Sequence, residues 1–479
     1  YQVYQVLCQF VRGQKAVMAG KKRQKGGRKG AVLSTGYEME GSTPSEQKTG
    51  RMVLAAVLIA GFAIRLIGAA SYRGYEVDIN CFLSWSDLIF QNGIGNFYSL
   101  DSFTDYPPGY MYVLFVIGGL RSMFGLAHSS MMSVVLTKLP AIFCDLVISG
   151  LIYKVAQKRM KETGAAILAG IFLVTPAVVL DSAVWAQVDS VFTLFIVLMC
   201  YLITEKKLIP AYFVFAVGIL IKPQSLIFTP VLIYGIVDQI FIESYQQDAR
   251  DVFFKKFWIN LGCGILAILM IGLFMLPFGF MDAFAQYSET MGSYPYASVN
   301  AYNFWTMIGR NWSSQTEKLF GLTYQVWGML SIVATVVFSA VIHFKSKDRH
   351  SKYYFTAALI VTCVFTLSVR MHERYVYPAL ALLLLSYAAR PRKKLYLAYI
   401  FLGLGSFCNM AHVMLYYNPQ NFDRMEAFPI YTGMVLVAVL IYLVYLAVTE
   451  YAGYVSGSEE NMKIAIAKEG KKPKYYPNI

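Results

Sequence analysis

Five short polar stretches, set in a chain that is otherwise mostly apolar, carry the groups that could do chemistry. The densest is SVRMHERYVYPAL, where Arg370, His372, Glu373 and Arg374 fall within five positions. A guanidinium presents a planar fork of donors that suits phosphate. An imidazole adds a hydrogen bond, and Glu373 could orient both. The stretch SYRGYEVDINCFLSW places Asp78 just ahead of Phe82, Trp85 and Ile89, which are spaced for one helical face. A carboxylate there either caps the helix or serves as a general base. Asp87, nine residues on, reads as a surface charge. In DSAVWAQVDS, Asp181, Gln187 and Asp189 accompany Trp185, which describes a polar pocket with an aromatic wall. Lys222 in IKPQS interrupts an apolar stretch; it either snorkels to an interface or binds an anion, and Pro223 and Gln224 favour a shaped site. In YPYASVNAYNFW, Asn300, Tyr302, Asn303 and Trp305 offer hydrogen bonding and stacking suited to a sugar, or simply form a turn.

Three further features have structural readings that suffice on their own. TDYPPGY, with Asp105, Tyr106, Pro107 and Pro108, reads as a rigid extended lead into a helix. Lys138 and Asp145 are seven residues apart on one helical face, so an internal ion pair is as good a reading as catalysis. The five histidines form no H-x-x-H pair with nearby acids, so no metal site is indicated. Glu76 and Asp78 resemble a D-x-D signature only loosely. No glycine-rich phosphate loop is present, so a donor substrate is expected from the membrane rather than as a soluble nucleotide.

The elements that must position these groups follow from composition. Of 479 residues, 57% are hydrophobic and 15% charged, against roughly 25% charged in soluble domains. Disorder and a disulfide scaffold are excluded by the same numbers and by seven scattered cysteines. Long continuous apolar runs, rather than alternating ones, argue against a transmembrane barrel. The fold class is therefore an all-α polytopic membrane protein. With ~20 apolar residues needed per crossing, twelve spans are expected at 52–70, 131–153, 163–182, 186–204, 208–221, 223–241, 256–277, 324–345, 352–369, 374–389, 395–415 and 429–449.

Lys and Arg number 42 against 28 Asp and Glu. The excess is expected in cytoplasmic loops. Residues 1–50 carry eight basic residues before the first acid, from Arg12 to Lys29, and read as a disordered cytoplasmic tail; residues 451–479 read as a second cytoplasmic tail. The segment 107–127 is apolar enough to cross. If it lies flat on the outer surface instead, the clusters at 154–161, 206–207, 345–349 and 390–394 all fall on the inner side, and Arg121 escapes the bilayer centre. Both termini are then cytoplasmic, and every polar motif falls on the outer side. One module spans 51–277 with the outer loop 71–130; a second spans 278–450 with the outer loop 278–323 and the HER motif.

The ordered set of an acid in the first outer loop, DYPP, a Lys–Asp span, WAQVDS, KPQ, SVNAYNFW and HERYVYP resembles the GT-C superfamily of polytopic glycosyltransferases. It is most similar to bacterial polyprenyl-phosphate-sugar-dependent members, mannosyltransferase-like enzymes included, and to eukaryotic dolichyl-phosphate-glucose and -mannose transferases. The resemblance covers about residues 52–390. It implies a GT-C-type fold whose long first outer loop carries surface helices, and an inverting hexosyltransferase. A polyprenyl-phosphate sugar would be the donor, and a lipid-linked glycan, cell-wall polymer or protein would supply the acceptor hydroxyl. It implies Asp78 as general base, His372, Arg374 and Lys222 at the donor phosphate, and Asp189, Gln187, Trp185, Asn300 and Asn303 around the sugar or acceptor. No cofactor beyond the lipid-linked sugar is implied, and no nucleic acid. Many members carry paired acids in that loop; here Ile79 and Asn80 follow Asp78. The HERY and KPQ forms point to a bacterial plasma membrane. A lipid or sugar transporter shares the hydropathy and basic loops, but it does not explain polar groups gathered at one face.

Overall fold

The computed structural model describes residues 43–100, 103–243, 250–420 and 422–453. Most of the basic tail, and residues 454–479, lie outside them. The first helix, α1 (Pro44–Ser71), starts earlier than the expected Met52. The cause is local. Thr43 and Glu46 form a capping box, in which the Glu46 amide donates to the Thr43 hydroxyl at 3.3 Å and the Thr43 amide to Glu46 Oε2 at 2.9 Å. Residues 44–50 therefore belong to a helix and not to a disordered tail.

The remaining helices are α2 (Glu76–Asn92), α3 (Pro108–Met123), α4 (Met131–Ala156), α5 (Glu162–Val174), α6 (Asp189–Thr204), α7 (Leu208–Ile221), α8 (Thr229–Ile236), α9 (Arg250–Met275), α10 (Phe280–Gly292), α11 (Tyr324–Lys345), α12 (Lys352–Leu367), α13 (Tyr377–Ala389), α14 (Lys393–Tyr416) and α15 (Ala427–Leu446). Short helical turns, among them Pro176–Val179 and Phe304–Met307, and one hairpin, β1 (Lys318–Leu319) with β2 (Leu322–Thr323), connect these helices. Among the described residues, seven helices are long and apolar enough to cross a membrane, or eight if α5 and the segment Pro176–Trp185 form one span bent by 55°. All twelve runs expected to span are largely helical, but α6, α7, α12 and α13 are shorter than that measure.

Helices α2 and α3 are not among these apolar helices; they pack on one another. The face expected from Phe82, Trp85 and Ile89 is buried, against Tyr110 and Leu114. The approach is close enough that a Cβ on Gly118 would lie 2.1 Å from the Ser86 carbonyl oxygen, so only glycine fits there. Arg121 seals the pair, donating to Asp87 Oδ1 at 2.7 Å and to Ser86 Oγ at 2.8 Å. Asp87 is thus an anchor for a buried arginine, rather than the free surface charge expected.

At the centre of the bundle Asp145 accepts four hydrogen bonds: from Arg65 Nε at 3.0 Å, Ser182 Oγ at 2.6 Å, Ser190 Oγ at 2.6 Å and Tyr377 OH at 2.5 Å. A buried carboxylate is stable only when its lone pairs are satisfied, and here α1, α4, α6, α13 and the bent segment each supply a part. Lys138 does not pair with Asp145. Its ammonium donates to the carbonyls of Tyr72 at 2.6 Å and Val184 at 3.1 Å.

Candidate functional site

The bend in the span after α5 builds the first half of the site. After Pro176 the helix widens into a π-turn over Leu180–Trp185, and Ala186 then takes a left-handed conformation (φ 79°). This ends the helix with Trp185 and Gln187 turned toward the start of α2. The Asp78 carboxylate meets them there. Trp185 Nε1 donates to Asp78 Oδ2 at 2.8 Å, and Gln187 Nε2 donates to the same oxygen. Asp78 Oδ1 accepts no hydrogen bond among the described residues. The backbone is pinned alongside: the Tyr75 amide donates to the Trp185 carbonyl at 3.3 Å, and Lys138 ties the Tyr72 and Val184 carbonyls together. Gly74 has φ 116°, and a Cβ there would lie 2.7 Å from the Trp185 oxygen. Asp78 stands in the first turn of α2, yet Tyr75 is the N-cap residue. Its side chain faces Trp185 and Gln187 instead of closing the helix end.

The second half is a cluster of charges. Lys222, at the end of α7, donates to Asp189 Oδ1 at 3.1 Å and Oδ2 at 3.0 Å. Its ammonium also lies over the rings of Tyr375 and Phe192, at 5.3 and 5.5 Å. Arg374 Nε is 3.5 Å from Asp189 Oδ2 without forming a hydrogen bond, while its Nη1 donates to Glu373. Asp189 is thereby flanked by two cations, and Arg374 keeps donor capacity for a further acceptor.

The turn carrying these residues, 368–376, is held by the 294–315 loop. The Val299 amide donates to the Met371 carbonyl at 2.9 Å, and the Arg370 amide to the Tyr296 carbonyl at 3.0 Å. The His372 ring meets Tyr294 edge-on at 4.7 Å and makes no hydrogen bond among the described residues. Burial, with Arg374 and Lys222 nearby, holds its pKa well below the usual imidazole range, so it is neutral. Arg374 sits beside Glu373, whose carboxyl burial pushes up and Arg374 pulls down.

All of this faces one cavity of about 760 Å³. Asp78, Trp185, Gln187, Lys222, Asn300, His372 and Arg374 line it. Asp189 is fully buried behind Lys222. Asn303 does not line it: its Oδ1 accepts the amides of Trp305 and Thr306, and its Nδ2 donates to the Phe365 carbonyl at 2.9 Å. It is a helix cap within the loop and not a pocket residue. Asn300 reaches the cavity, but Oδ1 already accepts from Trp312 Nε1 at 2.8 Å. Asp105 was not singled out as a site residue, because DYPP explains itself as a helix lead. It lines the cavity within 3.4 Å of the Tyr294 hydroxyl. Burial first, and Asp78 next, raise its pKa above the usual carboxylate value. The available signal was Pro107 and Pro108, which restrict Tyr106 directly and so hold the short lead on which Asp105 stands. Among the described residues no three His, Cys, Asp or Glu converge as metal ligands.

Residues 107–274 match the family described as dolichyl-phosphate-mannose-protein mannosyltransferase. No curated protein matches the chain. The family match supports a glycosyltransferase of GT-C type, in agreement with the resemblance drawn from the motifs. With the apolar helices it points to an integral membrane protein. The matched stretch contains Asp145, Gln187, Asp189 and Lys222, while Asp78 and the 370–374 cluster lie outside it.

Proposed function

We propose that this chain is a mannosyltransferase-type glycosyltransferase that moves a sugar from a polyprenyl-phosphate donor to an acceptor hydroxyl, with inversion, at the outer membrane–water interface. The observation that carries the reading is the pairing, across one cavity, of a carboxylate with one oxygen unengaged and a pair of fixed cations. Trp185 and Gln187 hold Asp78 by Oδ2, which leaves Oδ1 for the acceptor proton. The acceptor oxygen bonds to the anomeric carbon as the bond from that carbon to the phosphate oxygen breaks. The proton passes to Asp78, and the electron pair leaves with the polyprenyl phosphate. Charge that develops on the phosphate is stabilised by Lys222 and Arg374, already oriented by Asp189 and Glu373 in a low-dielectric site. Neutral His372 donates a hydrogen bond rather than charge. Asn300 and Trp185 shape the pocket for the sugar or the acceptor.

The test is transfer from a panel of polyprenyl-phosphate sugars by purified protein, with products followed by mass spectrometry. Asp78→Asn keeps the shape and can still accept from Trp185 and Gln187 through its amide oxygen, but the amide nitrogen then takes the place of Oδ1 and is not a base. It is expected to lose about 10²–10⁴-fold in rate, the usual worth of a positioned base. Transfer retained at the parental rate overturns the assignment of Asp78. Directional movement of lipid or sugar in proteoliposomes, without turnover of any donor, overturns the transferase reading itself.

A further inference from the structure

The cavity wall has two chemically different parts. Toward α10 and α11 it is bounded by Met291, Met329 and Ile332, apolar side chains that are themselves exposed on the bundle surface. An aromatic end is formed by Tyr75, Trp312, Tyr417 and Pro419. The Trp312 and Tyr417 rings lie 6.1 Å apart with planes only 8° from parallel, and Tyr75 packs on Trp185 at 5.2 Å, beside the base. Trp312 is held in place: its backbone is left-handed (φ 57°), its amide donates to the Ser298 carbonyl at 2.9 Å, and its indole N–H donates to Asn300.

We infer that this aromatic end is the acceptor subsite and that it takes a saccharide, so the hydroxyl glycosylated belongs to a glycan. The inference rests on the proposed transferase reading and adds the acceptor's chemical class. A pyranose presents a C–H face that stacks on the electron-rich face of an aromatic ring, and half-buried, rigid rings lose little entropy on binding it. A peptide acceptor would call for a free main-chain edge, and the loop offers little. The amides of Ala297, Val299, Trp312 and Gln315 donate to Ser313, Met371, Ser298 and Pro295. Tyr417 and Pro419 come from the turn after α14, outside both the matched residues 107–274 and the stretch that carries the motifs. Tyr417 and Pro419 thus bring to the acceptor end a part of the chain separate from the donor machinery, while Tyr75 and Trp312 come from within the motif-bearing stretch.

The experiment uses the full chain in nanodiscs. Binding of a disaccharide glycoside, a lipid-linked disaccharide and a Ser/Thr-containing peptide is measured by isothermal titration. Transfer from polyprenyl-phosphate sugars to each is measured in parallel. Both saccharides, or the lipid-linked one alone, are expected to bind, and the difference between them tells a polymer acceptor from a lipid-linked one. Trp312→Ala and Tyr417→Ala are each expected to weaken saccharide binding, or raise its KM, by about tenfold. Trp312→Phe is expected to restore most of it, and melting temperatures confirm that each variant is folded. Saccharide binding without turnover of any donor, together with directional movement of lipid or sugar in proteoliposomes, sustains a saccharide site here while overturning the transferase reading. Peptide binding without saccharide binding, or folded Trp312→Ala and Tyr417→Ala proteins with unchanged saccharide affinity, overturns the subsite.

Discussion

The base proposed at Asp78 needs one oxygen held and one free, and the carboxylate has that division because two donors converge on Oδ2 alone. Asp105 shares the cavity under different conditions. Its carboxyl is raised by burial and by Asp78, against the pull of Arg374 and Lys222. The linkage has a definite sign. The protonated form suits the folded site, so its contribution to stability is complete below the ordinary carboxylate pKa of ~3.9. That contribution is lost as pH rises through the raised value. Asp105→Asn is therefore expected to melt at a higher temperature than the parent at pH 7, with the gain shrinking toward pH 4. Equal melting temperatures at both pH values would contradict it. The Lys138 and Asp145 roles were not legible from spacing, which places both on one face but does not reveal that Arg65 lies eighty residues upstream or that two carbonyls wait for Lys138. The HER cluster was legible because four ionisable residues in five positions have no bland explanation in so apolar a chain.

At the scale of elements, the site depends on how the start of α2 is docked on the π-turn. Gly74→Ala puts a methyl group 2.7 Å from a carbonyl oxygen at φ 116°, a strain of about 1–3 kcal/mol. It is expected to displace Asp78, so that transfer falls by more than tenfold while the melting temperature drops only a few degrees. The Asp145 knot is the opposite case. Asp145→Ala leaves Arg65 buried without its ion-pair partner and is expected to cost about 3–5 kcal/mol, read as a lowered melting temperature or loss of the folded protein. Helices α7 and α11 appear at the residues the apolar runs mark, 208–221 and 324–345. Runs of that kind bear their own limits in composition. The break between α5 and α6 was placed only roughly, because a π-turn and a left-handed alanine leave no mark in hydropathy. Asn303 misled for a related reason: an asparagine before an aromatic run suits a sugar pocket and a helix cap equally, and the backbone decides which.

For the whole molecule, the cavity lies at one end of the bundle and the basic clusters at the other. There Lys158 pairs with Glu205, Lys206 with Glu243, Arg390 with Asp348, and Arg392 and Lys394 with Glu450. If the basic end faces the cytoplasm, a membrane-impermeant maleimide added to intact cells should label Thr316→Cys and spare Lys347→Cys in a cysteine-free background. The reverse pattern would place the cavity inside. The Asp145 knot also bears on how the protein is made. Arg65 and Asp145 can neutralise one another once α1 and α4 are in the membrane, so the growing chain does not leave either charge alone in lipid. Tyr377 is synthesised 232 residues after Asp145, directly behind the arginine and histidine of the site. The last hydrogen bond of the knot therefore forms only when the 368–376 turn has been threaded, and a nascent chain that stops short of it has an unfinished centre.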